Sequence, residues 1–285
     1  MKKLKKSERF SGAISKETAE KLHEHLNKVR SECGRDNTNF MKAMIFAAGL
    51  GTRLKPLTDF TPKALVPVGG KPLLQHVIEK LSDSGFKEIV INVHHFPEQI
   101  VRFLQNNNYF GLHMDVSDES DKLLDTGGGI RKASAFLEGN TPFLVHNVDI
   151  LSNADLKELY NNHIQQKNMA TLLVSQRKTS RYLLFDDQNV LKGWMNESTG
   201  EVKSPYPDFS PEKHRRFAFA GIQVISPEIF DWMKNRADKF SIIDFYLSIA
   251  ADVKIKAYPV SGLEMIDVGK IDSLKEAEEF YLKNV

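Results

Sequence analysis

From Met41 onward, short apolar runs alternate with stretches of helical periodicity. Strands are predicted at residues 43–48, 88–93, 113–117, 143–147 and 170–176. Helices are predicted at residues 72–84, 97–107 and 154–165, and another after Gly129. Because strands and helices alternate, the pattern favours an α/β fold with an open, mainly parallel sheet and helices on both faces.

The second half of the chain departs from this strict alternation. Shorter strand-like pieces at residues 182–185 and 190–194 predict a small antiparallel lid. A polar loop at 196–215 then precedes an apolar strand at 217–225. The remaining predicted elements are helices at 227–236, 241–250 and 270–283 and a strand at 253–258.

The first forty residues differ from the rest in charge and in periodicity. They carry ten Lys and Arg against six Asp and Glu, a net charge of +4, whereas the remainder carries −2. Ala19, Leu22, Leu26 and Val29 fall at helical spacing and predict one amphipathic helix. We therefore expect a basic helical extension at residues 1–40, with no assigned chemistry, and a separate domain at residues 41–285.

The composition argues against polyelectrolyte and membrane partners. Lys and Arg number 39 and Asp and Glu 37, too balanced for a protein that coats nucleic acid or an anionic membrane. No apolar run approaches the roughly 20 residues of a membrane span, and the amino terminus does not resemble a secretory signal. The single cysteine, Cys33, fits a reducing compartment. We expect a cytoplasmic protein that binds neither nucleic acid nor membrane.

The loop after the first predicted strand has the features of an anion site. It lies at the carboxyl end of that strand, where an open parallel sheet has its ligand crevice. Gly49 and Gly51 let backbone N–H groups approach an anion, and Arg53 adds a forked positive charge. The loop therefore predicts a polyphosphate site.

Two common nucleotide motifs do not account for this loop. Leu54 stands at the third glycine position of the dinucleotide fingerprint, and the loop does not lead directly into a helix. The pair Gly70 and Lys71 is not a P-loop, because Leu65 replaces the upstream glycine and Pro72 the Ser or Thr.

A longer run of residues gives the loop its identity. The run comprises Gly49, Gly51, Thr52, Arg53, Leu54, Pro56, Leu57, Thr58, Pro62, Lys63, Leu65, Pro67, Gly70, Lys71 and Pro72. It resembles the motif of the nucleotidyltransferases that join sugar 1-phosphates to nucleoside triphosphates, most closely their short bacterial members. The likeness extends from about Met41 to the carboxyl terminus. It implies a Rossmann-like sheet of the nucleotide-diphospho-sugar transferase type.

The resemblance implies which residues hold the nucleotide. The phosphates would lie against Ala48, Gly49, Leu50, Gly51, Thr52 and Arg53, and the base against Thr126, Gly127 and Gly128. In the base segment, Asp125 replaces the longer Glu of the family. Taken on residues alone, the glycines either open a helix with bare amides or simply allow close helix packing.

Two aspartates that end apolar runs resemble the family's metal ligands. Asp149 follows the run at 143–145, and Asp267 ends the run at 264–267. On residues alone, each could equally start a helix or turn. The resemblance implies that both hold Mg²⁺, that Lys63 neutralises the reacting phosphates, and that Asn147 and Gly221 lie on the sugar side.

The implied reaction is a single displacement in which a sugar 1-phosphate attacks the α-phosphorus of a nucleoside triphosphate. Arg53, Lys63 and Asp149 would carry catalysis, and UTP is the favoured triphosphate. Guanylyl transfer to a mannose-like phosphate and cytidylyl transfer to phosphocholine stay open. From another class, so does a regulatory subunit that binds nucleotide sugars without turnover, although such subunits commonly lose residues retained here.

One family feature is missing from the sequence. Many relatives carry a Glu-Lys-Pro segment whose lysine meets the sugar phosphate, and this chain lacks it. The candidates to replace that lysine are Arg177, Lys178, Arg181 and Lys192. The expected partners are a nucleoside triphosphate and a sugar 1-phosphate, with a homo-oligomer left open.

Overall fold

Fourteen strands and eight α-helices occur within residues 40–284, which are the residues that the computed structural model of the protein describes. The strands are β1 (Met41–Phe46), β2 (Pro67–Val68), β3 (Lys71–Pro72), β4 (Phe86–Val93), β5 (His113–Asp118), β6 (Phe143–Asn147), β7 (Ile150–Ser152), β8 (Ala170–Ser175), β9 (Arg181–Phe185), β10 (Leu191–Asn196), β11 (Glu201–Lys203), β12 (Arg215–Ile225), β13 (Ile255–Pro259) and β14 (Met265–Asp267). The helices are α1 (Leu73–Asp83), α2 (Pro97–Asn106), α3 (Asp125–Lys132), α4 (Ser134–Leu137), α5 (Leu156–Gln166), α6 (Ile229–Met233), α7 (Ile242–Ile249) and α8 (Ile271–Asn284).

Seven strands form the central sheet in the order β5, β4, β1, β6, β12, β8, β13. Neighbouring strands are parallel from β5 to β6 and between β8 and β13, and β12 is antiparallel to both of its neighbours. The predicted open, mainly parallel sheet is confirmed. The carboxyl ends of β1, β4, β5 and β6 consequently share one edge of the sheet, where the predicted crevice lies.

Apolar side chains on β6 alternate between two hydrophobic cores. Phe143 and Val145 belong to the core under α3, α4, α6 and α7, and Leu144 belongs to the core under α1, α2, α5 and α8. Because helices cover both faces, the central strands read as continuous apolar runs. This explains why the sequence pattern locates β6 at its actual limits.

The antiparallel lid shares a long strand with the main sheet. In β12, Arg215–Phe217 pairs with β9, whereas residues 218–225 pair with β8. The sheet continues from β9 through β10 to β11. The predicted lid is therefore present, but as an extension of the central sheet.

Several predicted boundaries are wrong. Helix α3 begins at Asp125, ahead of the three glycines, and the helix predicted at 227–236 is the single short helix α6. The predicted loop at 196–215 contains β11, and the loop at 52–65 contains three 3₁₀ turns. The helix predicted within residues 1–40 lies outside the described residues. Within residues 40–284, no helix is both long and apolar enough to cross a membrane.

Candidate active site

The loop after β1 is closed by its own hydrogen bonds. Gly51 has a φ of 63°, and its carbonyl accepts hydrogen bonds from Leu54 N and Thr58 Oγ1, each at 2.8 Å. A Cβ on Gly51 would lie 2.8 Å from Thr58 Cγ2 and 3.1 Å from Lys63 Cβ. Only glycine combines this left-handed backbone with so close an approach. A Cβ on Gly49, by contrast, would meet no atom within 4 Å, so that residue faces open space.

A cavity of about 340 Å³ opens beside this loop at the carboxyl edge of the sheet. Of the residues predicted from the sequence, its lining includes Ala48, Gly49, Lys63, Thr126, Asn147 and Asp149. The structure thus brings together residues that are up to about a hundred positions apart in the chain. Leu50, Thr52 and Arg53 lie in the same loop with exposed side chains.

An ion pair joins two of the three predicted catalytic residues in the lining of the cavity. Lys63 Nζ donates a hydrogen bond to Asp149 Oδ2. Lys63 lies in the 3₁₀ turn Lys63–Leu65 and is buried, with a side chain that is only 10% exposed. The backbone carbonyl of Asp149 accepts a hydrogen bond from Val268 N at 2.8 Å, which ties this residue to the strand that bears Asp267.

Asp267 lies on the strand next to Asp149. Strands β14 and β7 pair antiparallel, with Asp267 opposite Ile150. A Cβ on Gly269 would lie 2.7 Å from Asp267 Oδ1 and 2.9 Å from Arg53 Nη2, so glycine lets both charged groups approach the backbone there. Arg53 and Asp267, the second predicted metal ligand, therefore both lie beside the backbone of Gly269.

Asp149, in the turn between β6 and β7, and Asp267, on β14, carry the hard oxygen donors that Mg²⁺ prefers. Within residues 40–284, no group of three or more His, Cys, Asp and Glu is arranged to hold a metal ion. Asp149 and Asp267 would be the protein's ligands for such an ion. This donor set fits Mg²⁺ bound together with a nucleotide.

The glycines of the predicted base segment serve close packing. The amides of Gly127 and Gly128 both donate to Phe240 O, at 2.9 and 3.3 Å. A Cβ on Gly127 would lie 2.3 Å from the Phe240 ring, and one on Gly128 would lie 2.2 Å from Asp238 O. The expectation of bare amides is wrong for these two residues. Their contact with a nucleotide stays a prediction, whereas Thr126 lines the cavity.

The sugar-side residues of the prediction also meet. Gly221 has a φ of 75°, and a Cβ there would lie 2.8 Å from Asn147 Nδ2. Of the four basic candidates, Arg177 donates to Phe219 O at 3.3 Å, two residues before Gly221. Lys192 instead pairs with Asp186 at 3.4 Å and stacks on the Tyr206 ring. Lys178 and Arg181 are exposed.

Sequence reasoning missed several residues of the cavity. Asn92 and Glu119 line it although both are almost fully buried, and Lys239 lines it from the loop before α7. Asn92 interrupts the apolar run of β4, which is a signal that the sequence offered. Glu119 and Lys239 lie in polar loops, where no pattern separates them from their neighbours.

His146 lies behind the site, on the opposite face of β6 from Asn147. Burial lowers the pKa of His146 to about 4, so the ring is neutral near pH 7. Its Nδ1 lies 2.8 Å from the Asn147 carbonyl and donates to it. The ring therefore supports the backbone of the strand that carries the cavity residues.

The fold and the cavity define an α/β protein whose polar crevice, with an anion loop and two carboxylates, lies at the carboxyl edge of its sheet. The sequence profile of the nucleotidyl transferase family matches residues 42–284. The chain belongs to this family.

Individual relatives carry several substrate specificities. The chain is 32% identical over 244 residues to N-acetylmuramate alpha-1-phosphate uridylyltransferase of Neisseria meningitidis, a match that covers 84% of this chain and 97% of that protein. It is 30% identical over 237 residues to a probable mannose-1-phosphate guanylyltransferase of Oryza sativa. That match covers 81% of this chain but only 62% of the longer plant protein.

Solved structures share the fold. HddC from Yersinia pseudotuberculosis, complexed with GMP-PN, superposes with a TM-score of 0.67 at 23% identity, over 85% of this chain and all of that one. UDP-glucose pyrophosphorylase from Acinetobacter baumanii gives a TM-score of 0.69 at 17% identity, over 85% and 93% of the two chains.

Proposed function

We propose that the protein transfers a uridylyl group from UTP to a sugar 1-phosphate and releases pyrophosphate. The observation that carries the proposal is the Lys63–Asp149 ion pair in a cavity bounded by the glycine loop and by Asn147. In the reaction, an oxygen of the sugar phosphate forms a bond to the α-phosphorus of UTP. The bond from that phosphorus to the bridging oxygen breaks, and the electron pair leaves with pyrophosphate.

The protein's part in this reaction is positioning and charge neutralisation. Arg53 and the amides of Gly51 and Thr52 hold the departing β- and γ-phosphates, since guanidinium and backbone N–H groups are strong phosphate donors. Lys63 neutralises the negative charge that accumulates as the two phosphates meet. A phosphate monoester is already ionised at neutral pH, so the reaction needs no general base.

Asp149 and Asp267 would hold Mg²⁺ in the working enzyme. The bound ion supplies positive charge to the phosphate oxygens of both substrates. Lys63 adds positive charge beside Asp149. Asn147 and Gly221 would contact the sugar, and the hydrogen bond from Arg177 to Phe219 O, two residues before Gly221, supports Arg177 as the basic residue on that side.

The choice of base rests on the relatives. The Neisseria meningitidis relative, which this chain matches over almost its full length, is a uridylyltransferase. The plant guanylyltransferase is matched over only part of its length. Guanylyl transfer to a mannose-like phosphate is the second candidate, because that relative matches at nearly the same identity. Cytidylyl transfer to phosphocholine and a regulatory subunit without turnover are the remaining alternatives.

A pyrophosphate-release assay tests the proposal directly. Each of the four ribonucleoside triphosphates is combined with a panel of sugar 1-phosphates and phosphocholine in the presence of Mg²⁺. We expect the highest kcat/KM with UTP and a sugar 1-phosphate, and loss of release when EDTA removes the metal. A preference for GTP or CTP would replace the uridylyl assignment. Binding of nucleotide sugars without release from any pair would favour the regulatory alternative.

A further inference from the structure

The floor of the cavity is a continuous chain of buried hydrogen bonds. Ala47 N donates to Asn92 Oδ1 at 2.8 Å, and Asn92 Nδ2 donates to Glu119 Oε1 at 2.7 Å. The other carboxylate oxygen, Oε2, accepts from Leu124 N at 3.1 Å. Asn92 is 2% exposed and Glu119 1%, so water does not compete for these bonds. We call these four residues the floor chain.

The two ends of the floor chain lie at the two walls of the cavity. Ala47 immediately precedes Ala48 and Gly49 of the phosphate loop, and Leu124 immediately precedes the start of α3 with Thr126. In the proposed function, the first wall takes the phosphates and the second lies against the base. The floor chain therefore fixes the distance between the surfaces that hold opposite ends of one nucleotide.

Helix α3 rests directly on this chain. A Cβ on Gly129 would lie 2.8 Å from Glu119 Oε1 and 3.2 Å from Asn92 Nδ2, so glycine is needed for the contact. The backbone of Glu119 is fixed as well, because its N–H donates to Val93 O at 2.7 Å and its carbonyl lies 2.7 Å from His94 Nδ1. The third glycine of the base segment thus contacts the floor chain.

As long as position 92 is an asparagine, the floor chain requires a carboxylate at position 119. A buried carboxylate costs folding free energy unless hydrogen bonds compensate it. Within residues 40–284, no Lys, Arg or His forms an ion pair with Glu119. Two N–H groups point at its two oxygens, and a glutamine would turn its NH₂ toward one of these donors. The position therefore requires an acceptor on both sides.

We propose that Asn92 and Glu119 are positioning residues for the nucleoside triphosphate, through the spacing that they impose on the two walls. The proposal rests on the proposed function. A cavity whose walls are already at the correct spacing loses less conformational freedom when one ligand spans both. A ligand that touches only one wall gains nothing from that spacing. The pair therefore acts on the whole nucleotide and not on its fragments.

The chain offers a variant that reverses the polarity of the bond between the two side chains. In Glu119→Gln, the side-chain NH₂ would face another donor, either Asn92 Nδ2 or Leu124 N. In Asn92→Asp, two carboxylates would face each other. Each single change therefore removes a hydrogen bond of the floor chain. In the double variant N92D/E119Q, the carboxylate at position 92 accepts from Ala47 N and from the amide at position 119. The amide oxygen at position 119 accepts from Leu124 N. All three hydrogen bonds of the floor chain are thereby restored.

Calorimetry of UTP and of inorganic tripolyphosphate separates positioning from general damage. We expect E119Q to weaken UTP binding on the order of tenfold, the effect of one lost charged hydrogen bond. Tripolyphosphate, which reaches only the phosphate wall, should change by less than about twofold, within the range of a neutral substitution. The double variant should recover UTP binding. Ser117→Ala, at the buried register partner of Asn92 on β5, is the matched control and should bind UTP as the parent does.

Three results would overturn the positioning role. They are equal weakening of UTP and tripolyphosphate by E119Q, unchanged UTP binding in E119Q, and a double variant that melts like the parent yet does not recover UTP binding. If the parent chain binds UTP but releases no pyrophosphate with any sugar phosphate, the proposed transfer fails while the binding test still decides the positioning role. If the parent binds none of the four triphosphates, both proposals fail together.

Discussion

At the scale of single residues, the site depends on an ion pair between two side chains that are largely shielded from solvent. The side chains of Lys63 and Asp149 are 10% and 19% exposed, and each is the other's partner. Removing one charge leaves the other without compensation in a poorly solvated position. Substitutions here must therefore keep the shape of the side chain, and activity must be read together with folding.

Asp149→Asn tests the carboxylate while it preserves shape. The amide oxygen still accepts a hydrogen bond from Lys63, but the negative charge that would hold Mg²⁺ is gone. We expect turnover in the pyrophosphate-release assay to fall at least ~100-fold, the scale of a lost catalytic charge contact. The far-ultraviolet circular dichroism should match the parent chain. Near-normal turnover in a folded variant would remove Asp149 from the catalytic group.

Lys63→Met tests whether the ammonium acts in the transition state. Negative charge is most crowded when the new phosphoanhydride bond forms, so the loss should appear in kcat. UTP binding by calorimetry should weaken much less, because Arg53 and the loop amides still contact the β- and γ-phosphates. Equal losses in binding and turnover would instead make Lys63 an anchor for the bound substrate.

At the scale of elements, tertiary contacts decide where local pattern is silent or misleading. The apolar run of β6 is bounded by polar residues, and its strand is predicted at the observed limits. The sequence predicts helix α3 too late in the chain, because each internal glycine disfavours a helix by about 1 kcal/mol relative to alanine. What offsets that cost is the close approach of Phe240 and Asp238, which no local pattern shows.

The same argument applies to the site. The glycine loop and the two aspartates follow from a motif resemblance, and the structure brings them together. Asn92 contacts Glu119 across 27 positions of sequence, and neither belongs to the motif that the sequence showed. A long-range pairing of polar side chains leaves no periodicity, so sequence reasoning cannot find it.

Gly128→Ala tests the packing of α3 against the segment before α7. The new Cβ would lie 2.2 Å from the backbone oxygen of Asp238, an atom that cannot rotate away. We expect a loss of about 1–3 kcal/mol in the free energy of unfolding, as for other overpacked sites, measured by urea denaturation. Gly49→Ala is the control for stability, because its Cβ would meet no atom within 4 Å. Equal stability of the two variants would contradict the packing role.

His163 makes the attachment of α5 sensitive to pH. Its ring nitrogens lie 2.9 Å from Thr171 Oγ1 and 3.0 Å from Ser226 Oγ, which joins the helix to β8 and to the end of β12. Burial lowers the pKa of His163 to about 4, below its value of about 6.5 in an unfolded chain. The unfolded state therefore binds more protons between these two values. Stability from this group is complete above pH 6.5 and is lost as the pH falls toward 4.

The free energy of unfolding should accordingly fall between pH 7.5 and pH 5. The part due to His163 is about 2 kcal/mol over that range. His163→Gln should lower stability at pH 7.5 but make its pH dependence shallower by that amount, as measured by urea denaturation at both values. An unchanged pH dependence in the variant would show that the ring titrates alike in both states.

At the scale of the whole molecule, the candidate site and the beginning of β1 lie at opposite edges of the sheet. The carboxyl edge carries the anion loop, the ion pair and the floor chain, whereas β1 begins at the opposite edge with Met41 beside Phe86 of β4. Two cores, one on each face, hold this sheet rigid between the edges. Met41 is therefore separated from the candidate site by the length of a strand.

Removal of residues 1–39 tests whether the described fold is complete without them. The family match begins at residue 42, and Phe40, where the described chain starts, is 47% exposed. We expect the melting temperature to change by less than about 2 °C, which corresponds to less than about 1 kcal/mol for a domain of this size. UTP binding should stay the same, because the cavity is lined by residues between Phe46 and Lys239.

The charge of the segment sets the condition under which this truncation must be measured. Residues 1–40 carry +4 and the rest of the chain −2, so an electrostatic contact between them would be strongest at low salt. The comparison is therefore made at about 0.01 M and about 0.15 M salt, where screening lengths are roughly 30 and 8 Å. A destabilised truncation at both salt concentrations, or a changed oligomer mass in light scattering, would assign the segment an apolar contact with the domain or with a second copy.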